Sequence, residues 1–215
     1  MVRYAVVFAC VVSCVTTDDS PEVAEIEAAA SLSFSREHVS GDIYHYELVL
    51  PLVGSGPNAA IRVHRIVREV APFVPRRSAD AVVLMHGDFS TFVTNFAPML
   101  GTPASPVSGL APYLAARDID VWGVDRRWTL PAIEDDVSDF ATMGVAQEVD
   151  DLRIALALVR AVRLIDGSGG GRVALGGYSH GAQLAYIYAS VEAARPPAFR
   201  HIDALVPLDF YGAYG

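Results

Sequence analysis

Apolar and polar residues alternate weakly over residues 43–50, Ile-Tyr-His-Tyr-Glu-Leu-Val-Leu, and again over residues 60–70, where Ile61, Val63 and Val67 are set against Arg62, His64 and Arg68. A period of two, enriched in β-branched and aromatic side chains, predicts two strands. The turn formers Gly54-Ser-Gly-Pro-Asn58 between them predict an antiparallel hairpin. His45 and His64 read as ordinary strand residues on it. Beyond a connector containing Pro72, Pro75 and Arg76-Arg77, the pattern changes to a continuous apolar run at residues 79–85, a short strand at 120–127 that ends in charges, a short apolar run opening at Val173 before Gly177, and a further strand at 201–209. Runs of that length suit strands buried on both faces of a parallel sheet.

Helical periodicity fills the gaps between these runs. Residues 92–100 and 108–117 are short helical pieces, interrupted by Pro98, Pro103 and Pro106. Residues 145–164 carry the longest helical pattern: Val145, Val149, Leu152, Leu156, Val159 and Val162 recur at steps of three or four, with acids early and arginines late, as the helix dipole favours. A further helix follows Gly181 and is stopped by Pro196-Pro197. Strands alternating with helices predict an α/β fold, a mostly parallel sheet of about six strands with helices on both faces.

Composition narrows the class. The 215 residues hold one sizeable domain. A formal charge of −9 and the lack of a basic run argue against nucleic acid as a partner. Cys10 and Cys14 are the only cysteines, so the rest of the chain has neither a disulfide nor a cysteine metal site. Residues 1–13 read as a signal peptide: Arg3, then an apolar stretch too short to span a bilayer. Val11-Val-Ser-Cys14 resembles a bacterial lipobox, which implies lipid modification of Cys14, anchoring to a membrane and a place in the bacterial cell envelope; plain secretion is the alternative. Residues 14–41 are acidic and rich in small residues, the composition of a flexible tether. The folded domain is expected over 42–215. Cleavage before Cys14 leaves fifteen basic against twenty-five acidic side chains, so the acidity belongs to the domain itself.

The chemistry-bearing passage is Gly177-Tyr-Ser179-His-Gly181, between the short apolar run that opens at Val173 and the helical pattern that follows. A serine on so tight a strand-to-helix turn needs small residues two before and two after it, and the helix N-terminus favours negative charge there. Gly87, in His86-Gly-Asp88 after the 79–85 strand, lets a second loop present a backbone N–H. The glycine-rich residues 166–171 precede a strand instead of following one and contain no Gly-Lys-Ser/Thr, so they do not read as a phosphate loop. The acidic residues 128–143, with Glu134, Asp135, Asp136 and Asp139, lack the ligand spacing of a calcium loop and read as a solvated, lid-like insert.

Together the opening hairpin, Leu84-Met-His86-Gly87, Gly123-Val-Asp125-Arg-Arg127 and Gly177-Tyr-Ser179-His-Gly181 resemble the α/β-hydrolase family in content and order. The resemblance implies Ser179 as nucleophile, with Gly87, Gly177 and Gly181 as motif glycines. It also implies an oxyanion hole made by the backbone N–H groups of Asp88 and His180. The family order of serine, acid, histidine makes Asp209, at the end of the sixth strand, the candidate acid. His180 is adjacent to the serine and His201 opens a strand at the opposite end of the sheet, so neither is expected to be the base. The chain is therefore expected to stop before the family's catalytic histidine. A serine hydrolase of carboxylic esters, amides or lactones follows, acting on a small-molecule or lipid-like substrate without cofactor or metal, and weak or inactive in this form. The alternative is a surface-tethered binding protein that keeps the fold and not the chemistry. The fold does not choose the substrate.

Overall fold

A computed structural model describes residues 33–52, 56–98, 100 and 108–209. The signal segment, Cys14 and the tether up to residue 32 lie outside the described residues. Residues 33–40 do not behave as a tether: they form β1 (Ser33–Ser40), antiparallel to β2 (Ile43–Pro51). The polar sequence of β1 is compatible with a strand because it is the sheet edge, held by main-chain pairing and by Arg36. That side chain crosses to Glu69 with Nε–Oε1 2.8 Å and lies 3.8 Å above the Tyr44 ring. Exposed polar side chains also discourage further pairing at an edge.

β2 pairs with β3 (Ala60–Ala71), giving the expected hairpin, and a two-residue β4 (Val74–Pro75) folds back on β3. β5 (Ala81–Met85), β6 (Asp120–Asp125), β7 (Val173–Tyr178) and β8 (Ile202–Leu208) complete an eight-stranded sheet of order β1-β2-β3-β6-β5-β7-β8. The pairings β6·β5, β5·β7 and β7·β8 are parallel, while β3 runs antiparallel to β6. The sheet is thus parallel through its core and antiparallel at its N-terminal edge, with two more strands than the sequence pattern shows. Consecutive parallel strands are not all neighbours, so the order reverses around β5, the place where open α/β sheets form crevices at their carboxyl ends.

Helices cover both faces. On one lie α1 (Phe92–Phe96) and α2 (Leu110–Ala115), packed through Phe92, Phe96, Ala111 and Ala115 on Ile66, Leu84 and Val121. On the other lie α3 (Val145–Ile165) and α4 (His180–Ala193), packed through Leu152, Leu156, Leu184 and Tyr188 on Val83, Met85 and Leu175. The first two are shorter than the apolar pattern predicts. Ala97 leaves the helical region, with φ −142° and ψ 51°, because the Pro98 ring disfavours α geometry in the residue before it. Val145 begins α3 but is exposed, so the buried stripe runs from Val149.

The close packing of β7, α4 and β5 depends on glycine. A Cβ at Gly181 would lie 2.2 Å from the Met85 carbonyl oxygen, and one at Gly177 would lie 2.3 Å from the Gly181 backbone. Gly181→Ala is expected to destabilise the protein by about 1–3 kcal/mol, since α4 must move off β5 to admit the methyl. Chemical denaturation measures it; an unchanged midpoint would contradict this packing.

Candidate active site

The carboxyl ends of β5, β6, β7 and β8 converge on Ser179. This residue occupies the turn between β7 and α4 with φ 53° and ψ −122°, a backbone conformation that a non-glycine residue seldom adopts. Its own N–H donates to Leu208 O at 3.1 Å, tying the turn to the end of β8. The hydroxyl therefore sits at the head of α4, where first-turn N–H groups, beginning with that of His180, lack intrahelical partners.

The loop after β5 packs against this turn. A Cβ at Gly87 would lie 3.2 Å from the Ser179 Cβ, so only glycine permits the approach without displacement. The Gly87 N–H is already committed to Asn95 Oδ1 of α1 at 2.9 Å. That bond pins the loop and makes the next N–H, that of Asp88, the available donor on this side. His86 is buried and locks the loop from beneath: its Nδ1–H donates to Gly87 O at 2.7 Å and its Nε2 accepts the Arg126 N–H at 3.2 Å. Burial pushes its pKa down, so it is a neutral imidazole of fixed tautomer.

The Asp88 side chain is not a free carboxylate beside the serine. Its Oδ1 takes a hydrogen bond from Arg126 Nη2 at 2.7 Å and lies 2.7 Å from His180 Nδ1. Arg126, itself buried, also donates to Glu148 Oε1 of α3 at 3.2 Å and lies 4.7 Å over the Trp128 ring. Burial raises the Asp88 pKa, but the His180 and Arg126 hydrogen bonds outweigh it and hold the carboxyl below its ordinary range. The sign follows from linkage. A depressed folded-state pKa adds stability above the unfolded value of about 3.9, and that contribution is lost as pH falls through the folded value. With the Asp88 side chain 49% exposed, screening keeps the effect small. The melting temperatures of wild type and Asp88→Asn are expected to differ at neutral pH and converge in acid. A difference constant across that range would contradict the pairing.

The six histidines are His38, His45, His64, His86, His180 and His201. None is hydrogen-bonded to Ser179 Oγ: His180 is taken by Asp88, and His201, at the other end of β8, lies 3.1 Å from Arg160 Nη1. Asp209 follows β8 with φ 49° and has no imidazole partner among the described residues. Of the acids in the 128–143 insert, Asp139 and the Asp136 carbonyl accept from Asn58 Nδ2 at 2.8 and 2.7 Å, and Asp135 accepts the Ala132 N–H at 2.7 Å. They hold turns and dock the insert on the β2–β3 loop. Asn95 and Glu148 carry no signal in the sequence, and Arg126 enters it only within the passage Gly123-Val-Asp125-Arg-Arg127, as one of a pair of arginines ending a buried strand.

No protein-family model and no curated protein sequence matches the chain. Among solved structures it is similar to a candidate lipase from Sulfolobus solfataricus, with a TM-score of 0.62 and 18% identity over 84% of this chain and 50% of that one. It is also similar to a hyperthermophilic esterase from Pyrobaculum calidifontis, at TM-score 0.46 and 20% identity over 76% and 44%, and to a bacterial heroin esterase, at 0.45 and 21% over 81% and 46%. The chain thus spans about half the length of the Sulfolobus protein. That first likeness, with the strand order above, shows an α/β-hydrolase-type fold.

Proposed function

We propose that the protein is a serine hydrolase acting on carboxylic esters, amides or lactones through an acyl-enzyme on Ser179. The observation that carries this reading is the serine's positive φ on a strand-to-helix turn, with the Gly87 loop packed against it. Serine Oγ attacks the carbonyl carbon, and the oxygen that becomes negative is held by the His180 and Asp88 N–H groups. Expulsion of the alcohol or amine leaves the acyl group on Ser179, and water then releases it as a carboxylic acid. Among the described residues no imidazole is hydrogen-bonded to Ser179 Oγ, and Asp209, just after β8, is the candidate for the acid that orients a base. Phe89, fully exposed at the tip of the Gly87 loop, offers an apolar contact for the acyl or alcohol side of a substrate.

Hydrolysis of a short-chain nitrophenyl ester tests the reading, with turnover expected from the wild type and lost in Ser179→Ala; equal turnover by both would contradict it. A surface-tethered binding protein is the second reading, favoured by the absence of an imidazole at Ser179 among the described residues; ester binding without turnover would support it. Anchoring through Cys14 goes with either. Metabolic labelling with a fatty-acid analogue is expected to mark the wild type and not Cys14→Ser, and equal labelling of both would remove the anchor.

A further inference from the structure

Strand register, which hydrophobicity alone does not fix, assembles a polar cluster away from Ser179. Glu47 of β2 stands opposite His64 of β3, and His64 stands opposite Gly123 of β6. His45, two residues before Glu47, shares its face, and Asp125, two residues after Gly123, shares the face on the other side. We propose that His45, Glu47 and His64 bind one divalent cation of the zinc class.

Among the described residues these three side chains bring their ligand atoms within 4.8 Å of one another. His45 Nε2 is 2.9 Å from His64 Nδ1, and His64 Nδ1 is 3.8 Å from Glu47 Oε2. Tetrahedral bonds of about 2.0–2.1 Å place neighbouring ligand atoms roughly 3.3 Å apart, within that spread. Two imidazoles and one carboxylate suit zinc, cobalt or nickel and not calcium or magnesium, which prefer all-oxygen shells.

The surroundings are built as those of a metal site are. His64 is fully buried, and its second nitrogen, Nε2, lies 3.1 Å from Asp125 Oδ2. A proton held there leaves the Nδ1 lone pair facing His45 and Glu47, the carboxylate–histidine arrangement that orients metal-bound imidazoles. The approach is off-angle for a full hydrogen bond, so both atoms keep unmet bonding capacity. Asp125 is held by the Phe92 N–H at 2.6 Å, and the Phe92 ring stacks on His64 with centroids 4.8 Å apart, in the space left by Gly123. Glu47, 29% exposed, opens the cluster to solvent and leaves a fourth position for water.

Arg62 is the opposing charge, with Nε 3.3 Å from Glu47 Oε1 and Nη1 3.6 Å from Asp125 Oδ2. Two carboxylates face this one guanidinium, so the cluster keeps net negative charge, and the pairing turns Glu47 Oε2 toward His64. Without an ion, His45 Nε2–H donates to His64 Nδ1. On binding, His45 takes its other tautomer, with the proton on its own Nδ1, and the ion takes the place of the Nε2 proton between the two rings. The ion would fasten β2 to β3, beside the Asp125 carboxylate that holds the start of α1.

Tag-free protein, stripped with chelator and titrated with Co2+ and then Zn2+, tests the site by calorimetry and visible absorption. One Co2+ per chain is expected, with the intense bands of a low-coordinate ion, displaced by Zn2+ and accompanied by a higher melting temperature. Glu47→Ala, at a partly exposed strand position that tolerates truncation, is expected to weaken binding at least tenfold. His45→Gln is expected to abolish the bands, and His201→Gln to leave them unchanged. No saturable one-to-one binding, or binding unaltered by both Glu47→Ala and His45→Gln in folded protein, overturns the proposal.

Discussion

Replacing Ser179 with alanine is expected to lower ester turnover by about 10^4- to 10^6-fold, the loss that follows removal of a catalytic nucleophile, if Ser179 has the proposed role. The effect is large because the remaining groups act on an oxyanion that forms only once Oγ has attacked. In the proposed mechanism the His180 and Asp88 N–H groups would hold that charge but create none. Stability should scarcely change. Ser179 Oγ makes no hydrogen bond among the described residues, and its main-chain tie to Leu208 O at 3.1 Å survives the substitution. Alanine also carries the same Cβ into the positive-φ turn. Turnover and melting temperature measured together separate this from a folding defect. Loss of activity with an unchanged melting temperature supports the assignment, and retained turnover removes it.

Asp120→Ala should have the largest effect on stability, about 3–5 kcal/mol, because it strands buried cations. Asp120 is fully buried and accepts from Arg65 Nε and Nη2 at 2.8 and 2.9 Å and from Arg163 Nη1 at 2.7 Å. Arg65 is further tied to Asp166 at 2.6 Å and lies 4.6 Å over the Trp122 ring, and Arg163 donates to Ser78 O at 3.0 Å. The carboxylate therefore joins β3, β6 and the C-terminal turn of α3 in one network. Truncation leaves two guanidiniums sharing Asp166 and backbone carbonyls in a site with little water. Asp120→Asn keeps the volume and part of the hydrogen bonding, so its loss should be smaller. Denaturant titration of both variants checks the ordering. A loss below about 1 kcal/mol for alanine would mean that the arginines find other partners.

Much of this fold is legible in the sequence because local pattern and global position agree. Alternation marks β2 and β3, continuous apolar runs mark β5 to β8, and steps of three and four mark α3. The serine turn is legible for a steric reason: the space at Gly177 and Gly181 admits no side chain, so the glycines announce the geometry. β1 was not legible, since Ser33-Phe-Ser-Arg-Glu-His-Val-Ser40 reads as soluble linker and is held by Arg36 reaching Glu69, 33 positions away. The Asp88–Arg126–Glu148 chain escaped for a similar reason. Its members come from three separate segments, and their meeting depends on how the ends of β5 and β6 meet the start of α3. His45 and His64 look like ordinary strand residues in the sequence. Only the register that sets Glu47 against His64 gathers them.

Mass-spectrometric mapping of a fluorophosphonate adduct on the protein asks directly whether Ser179 is a nucleophile. A single adduct is expected, carried by the peptide containing Gly177-Tyr-Ser-His-Gly181 and absent from Ser179→Ala. An adduct on another residue, or equal labelling of the wild type and Ser179→Ala, would contradict the assignment of Ser179.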